Sequence, residues 1–497
     1  MAKITTALHS HINRLFSKIS KNVFWLISLN IVTAICQFIV YALINRNLGK
    51  EILGVWSLVI AATSIGQISS FGFSNGLVRY LPELIQKNDS KGISKLVATV
   101  NFSNFFLSLP VLFLLYIPAI KYAAYLLNDY QFHLFRSVII WCMAGLFINN
   151  LFSVYTFLLD GMQKYYIRCM IQIAGWLLFL ILSIALIPLL GIKGVAIAFF
   201  IQSIWQFAIA IFVVAKVKSL KIGFPLGFDK KSFMLVSAFG VKLQFISVLT
   251  IFFDPLVKFF ITKNMGLSAT ANYELSNKIV MQARNLLVNS NQVIVPKIVI
   301  HKTLGDENIY FKNVIRKNIF FAVAVGMLLL LGSPVAILLF SKHFDSDLMS
   351  CIVILNCGWV CNMITSVHYY SCIGLDKLNS LVIYHLILAV TVALLYITIT
   401  NFFHWKFLYF IVPAVALFLG SLYNSLALSK IVTTSFTWLS SGNFLYFIFA
   451  TFTLLIVGYS SIANFYILYS FLLIGYFFLT WRKYKPGDYL KKLNANE

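Results

Sequence analysis

The sequence predicts an all-α polytopic membrane protein of about fourteen transmembrane helices, arranged as two pseudo-symmetric six-helix bundles plus two C-terminal helices. Three observations predict it. The chain is 60% hydrophobic and only 11% charged, with a mean hydropathy of +0.88, whereas soluble domains are nearer 45–50% apolar and about 25% charged. Its apolar runs are repeatedly long enough, at about 20 residues, to cross a bilayer as helices. Its two halves also echo each other at a nearly constant offset.

The spans read, in order, near residues 22–45, 52–76, 96–120, 134–159, 165–189, 191–215, 232–262, 267–296, 317–341, 347–374, 378–401, 405–429, 442–460 and 463–481. Residues 1–220 form the expected N-terminal lobe (helices 1–6), 221–440 the C-terminal lobe (helices 7–12), and 441–497 helices 13 and 14 with a basic tail. Ahead of the first span, Leu8, Ile12 and Leu15 fall at helical spacing and predict a short basic helix over 5–17 on the cytoplasmic face. The start lacks a small-residue cleavage site after a short apolar stretch, so the first span is expected to stay in the membrane. The seven cysteines lie in apolar segments without CxxC or Cys/His spacing, and no metal or cofactor is expected.

The net charge of +24 does not mean nucleic acid here, because the basic residues sit between apolar spans. With the N-terminus inside, 27 of the 39 Lys and Arg fall in cytoplasmic loops and 8 outside. This is the bias that sets membrane orientation. Both termini are therefore expected in the cytoplasm, with anionic headgroups as the partner of the loops. No loop exceeds about twenty residues and no GxxxxGK[ST] stretch occurs, which excludes a soluble catalytic or ATP-driven domain.

The halves repeat. RNLGKEILGVWSL (Arg46 to Leu58) matches KNMGLSATANYEL (Lys263 to Leu275) at an offset of 217. Pro82 echoes Pro296, GMQK from Gly161 echoes GLDK from Gly374, and Lys193 echoes Lys406, at offsets of 214, 213 and 213. Six helices separate the copies, an even number, so both halves take the same orientation, with a transport path expected between them.

Polar stripes mark where that path should run. At about 100° per residue, Gln244, Ser247, Asp254 and Lys258 share a face of span 7. Glu274, Lys278, Gln282, Asn285, Asn289 and Gln292 share a face of span 8, flanked by Arg284. Asn30, Thr33, Gln37 and Tyr41 form a stripe in span 1, and Ser57, Thr63, Ser64, Gln67 and Ser70 a looser one in span 2. The offset of 217 places Gln37 on Asp254 and Tyr41 on Lys258. Charges at membrane depth face a partner or a cavity. Asp254–Lys258 and Glu274–Lys278 have the spacing of helical ion pairs, and the same groups could line an aqueous path. Pro255 favours the path by freeing a backbone carbonyl. Arg284 has no acid three or four residues away, and is the first candidate for an anionic substrate, with an inter-helical partner such as Asp160 or Glu274, or snorkelling, as the alternative. His368, His385, Asn149 and Asn150 read first as packing hydrogen bonds.

These segments together resemble a known family. NRNLGKEILGVWSL after span 1, FGFSNGLVRYLPEL (Phe71 to Leu84) after span 2 and DGMQKYYIRC (Asp160 to Cys169) after span 4 carry the resemblance. GIKGVAIAFFIQSIWQ (Gly191 to Gln206) and ITKNMGLSATANYELSNKI (Ile261 to Ile279) extend it over most of residues 20–430. The sequence resembles the Wzx-type O-antigen flippases, the polysaccharide-export branch of the multidrug/oligosaccharidyl-lipid/polysaccharide (MOP) superfamily. The resemblance implies two six-helix lobes, alternating access and a cationic cavity. It implies a substrate linked to undecaprenyl pyrophosphate and flipped between leaflets of a bacterial inner membrane, with no catalytic residue. Coupling to a proton or sodium gradient, and partnership with a polysaccharide polymerase and chain-length regulator, are further implications. A drug exporter of the same fold would want acids in its N-terminal lobe, where only Asp160 stands at a helix end. A peptidoglycan-precursor (lipid II) flippase is a further alternative, and a glycosyltransferase would need a large loop or an acid cluster that is absent.

Overall fold

The computed structural model describes residues 2–70, 73–87, 89–162, 164–216, 227–291, 294, 298, 307–341, 343–375, 377–402, 406–429 and 438–457. Fourteen α-helices run through them. These are α1 (Ala2–Leu48), α2 (Lys50–Gly66), α3 (Phe73–Gln86), α4 (Ser90–Leu126), α5 (Asp129–Gly161), α6 (Tyr165–Leu190) and α7 (Ile192–Ala215). Then come α8 (Lys230–Met265), α9 (Leu267–Ser290), α10 (Glu307–Ser341), α11 (Ser346–Gly374), α12 (Leu378–Phe402), α13 (Lys406–Ser429) and α14 (Gly442–Val457). Ten of them are long and apolar enough to cross a membrane, and the protein is a multi-pass membrane protein. Helix α9 is not among the ten: Glu274, Lys278, Arg284 and four asparagines dilute it. The expected last span, 463–481, and the expected lobe boundary at 220/221 lie outside the described residues.

Two details differ from the sequence reading. The segment 5–17 is helical, but it runs unbroken into span 1 as one 47-residue helix. Span 2, expected as one helix over 52–76, is broken. Helix α2 ends at Gly66, a 3₁₀ turn covers Gln67–Ser70, and α3 restarts at Phe73. A break inside a membrane helix survives only where neighbours satisfy the freed backbone groups. Polar side chains crowd this one: Asn150 Nδ2 donates to Ser69 Oγ at 2.7 Å, Asn104 Nδ2 donates to Ser74 Oγ at 3.0 Å, and the Ser74 and Ser153 hydroxyls bond at 2.8 Å.

The chain forms two compact units, Met1–Pro255 and Leu256–Glu497. In the first, α5 is the hub, packed on α2, α3, α4, α6 and α7. Its core of Leu77, Leu81, Val97, Tyr155, Leu158 and Val214 also takes in Val236 from the start of α8. In the second, α11 is the hub, packed on α9, α10, α12, α13 and α14. The far half of α8 belongs there, with Phe260 stacked on Tyr396 at 4.8 Å. The units therefore part within α8 at its only proline, Pro255.

The internal repeat is written into the backbone. Gly49 and Gly266, 217 residues apart, both take positive φ (92° and 83°) between consecutive helices. The following turns match: Leu53 N–H donates to Gly49 O at 3.2 Å, and Thr270 N–H to Gly266 O at 3.2 Å. Asn128 caps α5 and Asp345, again 217 on, caps α11. After those helices the offset is 213: Lys164 N–H donates to Leu159 O and Lys377 N–H to Cys372 O, both at 2.8 Å. The four-residue change is one helical turn, and it is taken up inside the hub helices, 33 residues in α5 against 29 in α11.

Candidate substrate-binding site

In the second unit, α8 and α9 form a hairpin about Gly266, tied by a hydrogen bond of 2.8 Å between the Thr262 and Thr270 hydroxyls. This tie brings two charges together. Lys258 Nζ lies 2.6 Å from Glu274 Oε2, and both side chains are only 1% exposed. Lys278 Nζ lies 3.8 Å from Glu274 Oε1, one turn along α9, and is 36% exposed. The predicted Glu274–Lys278 pair is present. The shorter contact is the inter-helical one to Lys258, which spacing along one helix does not reveal. A lysine sealed in apolar surroundings needs a carboxylate at contact, and the hairpin supplies Glu274. Glu274 thus bridges two lysines.

Two turns further along α9, Arg284 is half-buried. Its Nε donates to Asn362 Oδ1 of α11 at 2.7 Å and its Nη1 to Asn285 Oδ1 at 3.2 Å. The guanidinium lies over the Trp359 ring, 5.0 Å from its centroid. Both partners are themselves held. Asn362 Nδ2 donates to the Tyr384 hydroxyl at 2.8 Å, and Trp359 Nε1 donates to Asn277 Oδ1 at 3.2 Å. Tyr369 and His385 pack edge-on around Tyr384. Of the two acids considered for it, Glu274 serves the lysines of the second unit, and Asp160 of the first unit accepts from Arg168 at 2.6 Å. Among the described residues no carboxylate pairs with Arg284. Neutral amides fix such a guanidinium in direction without cancelling its charge, which suits bidentate capture of a phosphate or carboxylate.

The first unit holds a different site. A cavity of about 480 Å³ opens beside the break in α2, lined by Ile60, Thr63, Ser64, Gln67, Ser74, Leu146, Asn149, Asn150, Ser153, Phe157 and Phe199. None of these residues is charged. Asn149 Nδ2 donates to Ser203 Oγ at 3.1 Å, and Gln67 is exposed at the edge.

Of the residues expected along the path, Lys258, Glu274, Lys278, Arg284 and Asn285 stand together in the second unit. Asn289 lies on α9, and Gln292 falls outside the described residues. Gln67 lines the cavity of the first unit. On α1, Asn30 is exposed, Gln37 half-buried and Tyr41 buried. Asp254 is half-buried in α8 at the edge of the first unit. Sequence reasoning did not name Asn362, Trp359 or Tyr384, and took Asn149 and Asn150 for packing. The signal was available: 217 residues before Arg284 stands Gln67, and 213 before Asn362 stands Asn149.

Residues 19–302, more than half the chain, match the model of a family described as polysaccharide biosynthesis proteins. The chain belongs to that family. A search of curated proteins found no match. Among solved structures, this polysaccharide biosynthesis protein is similar to an inward-facing multidrug resistance MATE transporter of the MOP superfamily, with a TM-score of 0.72 and 13% identity over 81% of this chain and 94% of that one. It is similar to the lipid II flippase MurJ in an inward closed conformation, with a TM-score of 0.72 and 14% identity over 94% and 99%. A MOP superfamily transporter from Pyrococcus furiosus, described by a reversed polarity of its binding pocket, matches with a TM-score of 0.61 and 13% identity over 83% and 96%. At these identities the likeness is one of fold alone: the chain shares the fold of these transporters, as the sequence resemblance implied.

Proposed function

We propose that this protein is a flippase that moves lipid-linked oligosaccharide units, such as O-antigen repeat units on undecaprenyl pyrophosphate, from the cytoplasmic to the periplasmic leaflet of a bacterial inner membrane. The observation that carries the reading is Arg284, a half-buried guanidinium aimed by Asn362 and Trp359 and left without a carboxylate. An anion arriving there meets a preset donor pair, and Lys258, Glu274 and Lys278 lie on the same helix hairpin. The family's link to polysaccharide biosynthesis supports the substrate class. Alternating access of the two repeats would carry the substrate, driven by a proton or sodium gradient, with both termini cytoplasmic and a polysaccharide polymerase and chain-length regulator as partners downstream.

Complementation of a flippase-null strain tests it, with wild type, Arg284→Ala and Arg284→Lys compared at matched protein levels. Wild type is expected to restore surface glycan, Arg284→Ala to lose at least about tenfold, and Arg284→Lys to fall between, because an ammonium keeps the charge without the planar fork. Full restoration by Arg284→Ala would remove the arginine from the path.

A second reading is a peptidoglycan-precursor flippase, favoured by the MurJ match, which covers 94% of this chain against 81% for the multidrug transporter. Loss of viability on deletion, rather than loss of surface glycan alone, would select it. The multidrug reading is disfavoured by the uncharged lining of the first unit's cavity, which offers a cationic drug no counter-charge.

A further inference from the structure

We infer that the cavity of the first unit is a subsite for an uncharged sugar. The inference rests on the reading of the chain as an oligosaccharide flippase, and it assigns that substrate's neutral part to a place of its own.

The argument begins from the repeat. Gln67 and Arg284 are 217 residues apart, and Asn149 and Asn362 are 213 apart, the offsets that the glycine turns and the ends of the hub helices obey. The surroundings confirm the register. The Ser74–Ser153 hydroxyl bond of 2.8 Å recurs at the equivalent positions as Asn291 Nδ2 donating to Ser366 Oγ at 2.7 Å. Gly145 and Gly358, again 213 apart, both sit where a Cβ would strike the neighbouring helix. The register is therefore shared, although the first unit breaks its helix at Gln67–Ser70 where α9 stays helical to Ser290. In the second unit that register presents a guanidinium beside an asparagine; in the first it presents a glutamine beside an asparagine.

That exchange decides the ligand. An amide both donates and accepts, as does a sugar hydroxyl, so Gln67 and Asn149 can bond a ring hydroxyl whichever way its proton points. An anion at the same place would be desolvated with no cation among the lining residues to offset it. Phe157 and Phe199 add apolar ring surface for the C–H face of a pyranose. The volume of about 480 Å³ falls within the roughly 300–1,000 Å³ of small-molecule pockets. The exposure of Gln67 leaves the edge of the cavity open to an entering ligand.

Saturation-transfer NMR on the purified full-length protein tests the subsite. The probes are the methyl glycosides of glucose, galactose, mannose and N-acetylglucosamine. Two variants attack the site differently: Gln67→Ala with Asn149→Ala removes the amides, and Ser64→Leu fills the space while leaving them. Transfer to at least one glycoside is expected in wild type, retained in Arg284→Ala, and reduced at least about fivefold in both cavity variants. Unchanged thermal unfolding certifies that each variant is folded. Transfer that is absent in wild type, or unaltered in whichever cavity variant is folded, overturns the inference. Inorganic pyrophosphate titrated into the same samples reads the other assignment separately: its binding should need Arg284 and not Gln67. Failure there would sink the arginine's role while leaving the sugar result to stand by itself.

Discussion

At the scale of single residues, the strongest constraint is Glu274. It is sealed in the second unit between Lys258 at 2.6 Å and Lys278 at 3.8 Å. Removing one partner of a buried pair leaves the other charge desolvated and unopposed, which costs about 3–5 kcal/mol. Glu274→Gln should therefore lower thermal stability sharply in detergent, whereas Lys278→Ala should change it little, because Lys278 is 36% exposed and Lys258 still neutralises the acid. Replacing both buried members, Lys258→Met with Glu274→Leu, should recover most of the loss, since apolar pairs of similar volume replace buried ion pairs with little penalty. A measured unfolding temperature that falls equally for Lys278→Ala and Glu274→Gln would show that the pair with Lys258 does not hold the hairpin. The acid's presence in the stripe was legible in the sequence. Its principal partner was not, because spacing along one helix says nothing about which charge the hairpin brings across.

At the scale of helices, close approach is decided by glycine at the two hubs. A Cβ on Gly358 would lie 2.6 Å from the Ala414 Cα of α13, against backbone that cannot turn away. A Cβ on Gly145 would lie 2.7 Å from the Phe199 ring, the end of a side chain that can. Overpacking costs about 1–3 kcal/mol where the neighbour must shift. Gly358→Ala is expected at the upper end of that range and Gly145→Ala at the lower, measured as unfolding temperatures of the two single variants. Equal losses would mean that α5 and α7 are as rigidly apposed as α11 and α13. Helix positions followed from apolar run lengths almost everywhere. Besides the N-terminal segment that joins span 1, the exception among the described residues is span 2, where Gly66, Gln67 and Ser69 fall in a run otherwise apolar enough to pass as one helix. The break depends on hydroxyls and amides from α4 and α5 that a linear reading cannot place beside it.

At the scale of the whole molecule, the duplication was visible in four short echoes, and the structure extends it to helix ends, caps and turns. The neutral and cationic versions of one frame were less visible, because Gln67 and Arg284 share neither charge nor flanking motif and are related only by counting. The same counting makes a topological prediction. If six crossings separate the Gly49 and Gly266 turns, as the sequence predicts, both turns emerge on one side of the membrane. The turns at Lys164 and Lys377, with their matched hydrogen bonds, must emerge on the other. The excess of basic residues in the loops on the Lys164 side predicts that this side is cytoplasmic. Single cysteines placed at Lys50 and Lys263 should then react with a membrane-impermeant maleimide in intact cells, while cysteines at Lys164 and Lys377 should react only after permeabilisation. If Lys50 and Lys263 report opposite sides, an odd number of crossings separates them. The two units would then be inverted copies rather than parallel ones.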